Sequence, residues 1–144
     1  MKYIFSVLIV VMFGSCALYQ YTEIPSFDSI REAQKYVAKD IEYVEDPLGW
    51  KYPEETVYLG YGDCSDKSAL FAYILENDFG RTDVKLWVCK LKDTTGLHMI
   101  VESGGVYYET TNIKVYPNLD CRYILYSSMS LETYYTIADL LHIN

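Results

Sequence analysis

Positive charge is scarce in this chain of 144 residues. It carries 12 Lys and Arg against 20 Asp and Glu, a formal net charge of −8. Proteins that bind nucleic acid need clusters of basic side chains to neutralise phosphates, and an acidic surface repels polyanions. No such basic cluster occurs in the sequence. We therefore expect no nucleic-acid partner.

Histidine is scarcer still, with only His98 and His142, and the four cysteines form no CxxC pair. Structural zinc sites need four closely spaced Cys or His ligands. The sequence therefore predicts no metal site and no other cofactor.

The chain has no internal repeat, and it is too short for two full domains. About half of the residues are apolar, which is enough for one domain with a core. Tyrosine is abundant, with 16 residues against 5 Phe. Tyrosine-rich segments with a preference for β-structure suit a half-exposed sheet face, which favours an α+β fold over an all-helical one.

The single long apolar run, residues 3–13, is too short for a comfortable membrane span. Lys2 precedes the run, and Gly14 and Ser15 lie directly before Cys16. This pattern resembles a bacterial lipoprotein signal, which implies a cleaved signal peptide at 1–15 and a lipidated Cys16. Residues 16–25 would then be a tether and 26–144 the folded domain, held at the membrane of the bacterial cell envelope. The alternative is an ordinary secretory signal that is cleaved nearby.

Cys64 lies where a glycine-containing turn runs into an amphipathic helix. A helix N-terminus favours a thiolate, and the polar neighbours Asp63, Ser65 and Asp66 predict an exposed side chain. Cys64 is therefore a candidate nucleophile, the alternative being an inert thiol. Cys89 in an apolar strand is interpreted as a small buried residue, with a disulfide to Cys121 left open.

The order of elements also indicates α+β. Ser29 and Glu32 can cap a first helix with apolar residues up to Ile41, and a long connection follows over 46–62. The helix from Cys64 ends near Gly80. Strands are then predicted at 84–91, 98–102, 106–110, 113–116 and 122–126, before a last helix over 130–141.

A two-residue Gly104–Gly105 turn predicts a hairpin in which Ser103 lies opposite Val106. That register places His98 and Glu109 on one face of the sheet as diagonal neighbours, within reach of a hydrogen bond. If this face meets the start of the Cys64 helix, the three side chains are a nucleophile, a general base and an orienting acid. His142, close to the chain end, is interpreted as a surface residue.

Residues 50–56 and 60–70, with His98 and an acid eleven positions later, resemble the bacterial transglutaminase-like cysteine proteases over about residues 26–111. The resemblance implies a papain-like α+β fold and a Cys-His-Asp triad that attacks an amide carbonyl, with Cys64 as nucleophile and His98 as base. At the third position this chain has Glu109, whose side chain is about 1.5 Å longer than that of aspartate. Reduced activity is therefore expected, and Asn112 and Asp120 are alternative orienting residues.

The oxyanion glutamine of papain-like enzymes has no counterpart, because Gln20 lies in the tether and Gln34 in the first helix. The backbone N–H of Cys64 is the predicted oxyanion donor, with Trp50 or Tyr61 as candidates for a second.

The resemblance implies a membrane-anchored thiol hydrolase or acyltransferase that acts on peptide or isopeptide amides through a thioester. Its partner would be a protein or peptide substrate, and both hydrolysis and transamidation remain open. The alternative is a catalytically weak or inactive lipoprotein that uses the same fold as a binding module.

Overall fold

The structure is a computed structural model that describes residues 22–46, 49–118 and 123–142. It is an α+β fold, as predicted, with four helices and two sheets in these ranges. The helices are α1 (Ile30–Lys39), α2 (Pro53–Leu59), α3 (Cys64–Asn77) and α4 (Leu131–His142). The strands are β1 (Glu42–Tyr43), β2 (Tyr61–Gly62), β3 (Lys85–Leu91), β4 (His98–Ser103), β5 (Val106–Tyr108), β6 (Val115–Tyr116) and β7 (Tyr123–Met129).

The larger sheet is antiparallel, with the strand order β6-β5-β4-β3-β7. Ser103 pairs with Val106, so the predicted hairpin register is confirmed. Tyr116 on one edge strand contacts Tyr123 on the opposite edge strand, with ring centroids 5.8 Å apart. This contact between the two edges shows that the sheet is curled. This curl brings β7 close to the end of the β4–β5 hairpin, where the candidate site lies.

Helix α3 is the central helix of the domain and is buried on nearly all sides. Its apolar residues Leu70, Phe71 and Ile74 belong to the same core cluster as Leu86 and Val101 of the sheet. Burying one such side chain stabilises the fold by roughly 1.5–3 kcal/mol. Since α1, α2 and α4 also contact α3, the position of its first residue is firmly fixed.

The connection over 46–62 contains more regular structure than the sequence predicted. Pro53 begins α2, Glu54 and Glu55 occupy its first turn, and Gly60 ends it with a left-handed φ of 72°. These residues are typical helix start and stop signals. The helix has only 7 residues, and so its apolar periodicity is too short to be recognised in the sequence.

Strand β5 ends at Tyr108, before the predicted end at Thr110. The carboxylate of Glu109 accepts hydrogen bonds from the backbone N–H groups of Thr110 and Thr111, at 3.1 and 3.3 Å. A side chain that binds the following N–H groups competes with a strand ladder. Strand β5 therefore ends at Tyr108, directly before the candidate acid Glu109.

The predicted signal peptide, Cys16, Asp120 and Cys121 all lie outside the described residues. The signal, anchor and domain boundaries at 15 and 25 therefore stay predictions. Within the described ranges, no helix has the length and apolar character that a membrane crossing requires.

Candidate active site

Cys64 is the first residue of α3 and is half-buried. Strand β2 leads into it and is held by parallel pairing with β1. The side chain of Asp63 accepts hydrogen bonds from the N–H groups of Ser65 and Asp66, at 2.8 and 3.2 Å. The N–H of Cys64 is not among the donors that this cap occupies. The thiol thus lies at the positive end of the helix, beside a backbone donor that suits an oxyanion.

His98 is the first residue of β4, and its side chain is 14% exposed. Its Nε2 donates to both carboxylate oxygens of Glu109, at 2.8 and 3.0 Å. The imidazole also interacts with Cys64, and Nδ1 is the ring nitrogen that Glu109 leaves unoccupied. Burial lowers the pKa of His98, but the hydrogen bonds and negative charges of Cys64 and Glu109 outweigh it and raise the pKa to about 10. The imidazole is therefore a cation at neutral pH.

Glu109 is almost fully buried, with 2% exposure. Burial alone would raise the pKa of its carboxyl group, but the hydrogen bonds and charge of His98, together with Tyr123 and Thr111, hold it below the ordinary value. The hydroxyls of Tyr123 and Thr111 donate to the carboxylate at 2.8 and 3.0 Å. The acid is therefore an oriented anion. Although the side chain of glutamate is one methylene longer than that of aspartate, both of its carboxylate oxygens contact Nε2 of His98.

Gln34 was predicted only as a residue of the first helix, yet it contacts the backbone of the acid. It is 3% exposed, and its Nε2 donates to the carbonyl oxygens of Glu109 and Lys114, both at 2.9 Å. These contacts hold the two strands beside Glu109 against α1. The signal available in the sequence was a polar residue at a buried helix position, between Ala33 and Val37.

Tyr123 was not predicted as a site residue either. It begins β7, donates to Glu109, and stacks near the ring of His98, with centroids 6.5 Å apart. Burial and the charge of Glu109 raise the pKa of its hydroxyl, which therefore remains a donor at neutral pH. Among 16 tyrosines, nothing in the sequence distinguishes this one.

Ser65 and Asp66, two of the polar neighbours from which an exposed Cys64 was predicted, are themselves buried, and Cys64 is half-buried. Asp66 is fully buried, and its carboxylate has several hydrogen-bond donors. The N–H and the Nζ of Lys51 donate to it at 2.8 and 3.0 Å, and the N–H of Asp63 donates at 3.1 Å. Burial raises the pKa of Asp66, and the bonds from Lys51 oppose that rise. The hydroxyl of Tyr134 also donates to Asp66, at 3.3 Å. This polar network anchors the start of α3 beneath the thiol.

The remaining candidates have other contacts. Asn112 is exposed and accepts a hydrogen bond from the N–H of Lys114. His142 lies beside the ring of Tyr52. Trp50 stacks on Tyr134, with centroids 4.7 Å apart. These three side chains therefore contribute to local packing and turns.

Cys89 is fully buried and a free thiol, which agrees with its interpretation as a small buried residue. It pairs with His98 across β3 and β4, so both side chains point to the same face of the sheet. Burial and the negative charges of Glu109 and Cys64 raise the pKa of Cys89 to about 12. Cys89 is therefore a neutral thiol beside the charged site.

No protein-family model matches the chain, and no curated protein matches it. Among solved structures, the chain is similar to LapG of Legionella pneumophila in its calcium-bound form, a transglutaminase-like cysteine protease. The TM-score is 0.62 at 16% sequence identity, over 70% of this chain and 63% of the LapG chain. The chain has a transglutaminase-like fold. At this identity the likeness concerns the fold alone, and the chain spans less than two thirds of LapG.

The LapG structure is calcium-bound, so the acidic residues of this chain bear on whether it could hold the same ion. Across 22–46, 49–118 and 123–142, no three His, Cys, Asp or Glu side chains are grouped so that they could hold a metal ion. The carboxylates nearest the thiol already have protein partners, Asp66 in Lys51 and Glu109 in His98. These described carboxylates therefore do not form a donor set that fits a calcium ion.

Proposed function

We propose that the protein is a thiol hydrolase or acyltransferase that acts on peptide or isopeptide amides. The observation that carries this proposal is the hydrogen bond from Nε2 of His98 to the buried carboxylate of Glu109, with the same imidazole interacting with Cys64. A nucleophile, a base that contacts it and a group that orients the base together form a catalytic triad. The transglutaminase-like fold supports the same chemistry.

In the proposed reaction, the thiolate of Cys64 attacks the amide carbonyl carbon, and the carbonyl oxygen becomes an oxyanion. The imidazolium of His98 then gives a proton to the leaving nitrogen, the C–N bond breaks, and a thioester remains on Cys64. Next, His98 takes a proton from water or from an acceptor amine, which attacks the thioester and releases the thiolate. Water gives hydrolysis, and an amine gives transamidation.

The backbone N–H of Cys64 is the proposed donor to the oxyanion, because it points out of the helix end that the Asp63 cap leaves open. Glu109 keeps the ring of His98 in one orientation through both reaction steps. Glu109 is suited to this role, because its carboxylate accepts hydrogen bonds from the hydroxyls of Thr111 and Tyr123 and from Nε2 of His98.

We further propose that the enzyme is exported and anchored to the cell-envelope membrane through a lipid on Cys16. The support is the sequence of residues 1–16. Metabolic labelling with a palmitate analogue tests it in the bacterial host. Label in the wild type that disappears in Cys16→Ser supports the anchor, whereas equal label in both chains would overturn it.

Alkylation by iodoacetamide tests the triad without knowledge of the substrate. Peptide mapping by mass spectrometry follows Cys64 alone, so the other cysteines do not interfere. We expect fast alkylation near neutral pH, and a rate at least tenfold lower in His98→Ala, because the imidazolium that favours the thiolate is lost. His142→Ala is the matched control, since that histidine lies beside the ring of Tyr52 at the end of α4.

Equal rates in the wild type and His98→Ala would contradict the triad and favour a binding module. A screen of peptide and isopeptide amides, with Cys64→Ala as the control, then identifies the substrate. Product with the acceptor amine attached distinguishes transamidation from hydrolysis.

A further inference from the structure

A groove of about 680 Å³ lies between helix α1 and the edge of the large sheet at β6. Arg31, Lys35 and Lys39 line one side of it, and Ile113 and Val115 belong to the other. We call it the α1 groove. Neither Cys64 nor His98 lines it, and the proposed reaction makes no use of it.

The three cations recur every four residues and so form one stripe along α1. All three are exposed, and none makes an ion pair with any carboxylate in the described ranges. No described residue that lines the groove carries a carboxylate. In a chain with a net charge of −8, this is a local concentration of unpaired positive charge, which favours an anionic ligand.

The opposite wall is apolar and open to solvent. Ile113 is 48% exposed and Val115 is 46% exposed. Val115 belongs to β6, the edge strand of the sheet. A ligand of this groove would therefore combine negative charge with apolar side chains, which is the composition of an acidic protein segment.

We propose that the α1 groove binds an acidic, apolar-containing segment of a partner protein in an extended conformation. Charge complementarity with Arg31, Lys35 and Lys39 supports an acidic ligand, and the concave shape suits a chain segment better than a flat lipid surface. Residues 22–27, which precede α1, are not the ligand, because residues 22–26 border a different cavity and the N–H of Phe27 donates to Asp78.

The α1 groove also lies directly behind the acid of the candidate triad. Gln34 lines the groove, and the same side chain donates to the backbone carbonyl of Glu109. Tyr108, which also lines it, is the residue before Glu109. A segment bound here therefore contacts the elements that hold the acid, although the binding itself requires no catalysis.

Fluorescence anisotropy with a short labelled peptide of alternating Glu and Leu tests the proposal at low ionic strength. We expect binding to the full chain, and affinity about tenfold weaker in Arg31→Gln/Lys35→Gln/Lys39→Gln, since three exposed charge contacts are removed. Ile113→Ser is expected to weaken binding as well. The matched control is Lys85→Gln/Lys90→Gln/Lys92→Gln, which removes the same charge from β3 and the turn after it.

Equal weakening by both triple variants would overturn the proposal, because it would show attraction to net charge alone. Absence of peptide binding would overturn it too, as would binding of phosphatidylglycerol vesicles through the same three cations without peptide binding. Circular dichroism checks that each variant is folded. Measurements repeated in Cys64→Ala separate this proposal from the proposed function, because binding must persist when the nucleophile is absent.

Discussion

At the scale of single residues, the acid of the candidate triad is the position where this chain departs from the pattern that the resemblance implies. Glu109 replaces the aspartate that the resemblance implies, and reduced activity was expected for that reason. In the structure, the longer side chain contacts Nε2 of His98 with both oxygens, and the backbone after it folds around the carboxylate. These contacts accommodate glutamate at this position, and the expected reduction in activity stays a prediction.

Glu109→Asp should consequently impair the site rather than improve it. Shortening the side chain by one bond withdraws the carboxylate from Nε2 by about 1.5 Å. We expect a lower pKa of His98 and alkylation of Cys64 that is slower by about tenfold at neutral pH. The pH profile of the iodoacetamide reaction checks this. A rate equal to or above that of the wild type would show that aspartate fits equally well.

Tyr123→Phe removes one donor from Glu109 and leaves the others in place. Because hydrogen bonds to charged groups contribute about 1.5–3 kcal/mol, we expect a free energy of unfolding lower by about that amount. Urea unfolding measures it. Tyr126→Phe is the control, since Tyr126 lies on the same strand and is 57% exposed. A loss of the same size in Tyr126→Phe would contradict the assigned role of the Tyr123 hydroxyl.

At the scale of elements, the position of the thiol depends on how α3 begins. The buried carboxylate of Asp66 holds Lys51, the N–H of Asp63 and Tyr134 together. Gly62 in β2 is part of this arrangement, because a Cβ at that position would lie 2.6 Å from the Cβ of Asp66. The turn, the helix start and the loop at Lys51 thus form one unit beneath Cys64.

Lys51→Met tests this unit. Removal of one partner from a buried ion pair leaves an uncompensated charge, so we expect destabilisation of about 3–5 kcal/mol in urea unfolding. Lys85→Met is the matched control, because Lys85 is exposed and its nitrogen lies 3.9 Å from Glu102. We expect the control to change stability by less than about 1 kcal/mol. Similar losses in both variants would show that Lys51 contributes no more than a surface ion pair.

The parts of this arrangement that could be predicted from sequence are those that depend on neighbours along the chain. The Gly104–Gly105 turn set the hairpin register, and the register brought His98 and Glu109 together. Gln34 was missed because it contacts Glu109 across 75 residues. The burial of Asp66 depends on Lys51, which comes from a separate loop. Packing between distant segments has no local sequence pattern that would reveal it.

At the scale of the whole molecule, the charged site makes stability depend on pH. The pKa of His98 rises from 6.5 to about 10 on folding, so its contribution is fully present below 6.5 and is lost as the pH rises through about 10. The pKa of Glu109 is lowered from 4.5, so its contribution is present above 4.5 and is lost as the pH falls through the lowered value. The His98–Glu109 pair therefore stabilises the fold most between pH 4.5 and pH 6.5, the ordinary pKa values of the two groups.

The difference in unfolding free energy between the wild type and His98→Gln should therefore decrease from pH 6.5 to about 10. Its slope should reach at most about 1.4 kcal/mol per pH unit, the value for one proton, at about 25 °C. Urea unfolding across a pH series measures it, and the subtraction removes titrations common to both chains. In a Cys64→Ala background the decrease should be complete at lower pH, because the thiolate no longer holds the proton on His98. A constant difference over this range would mean that His98 carries no charge in the folded protein.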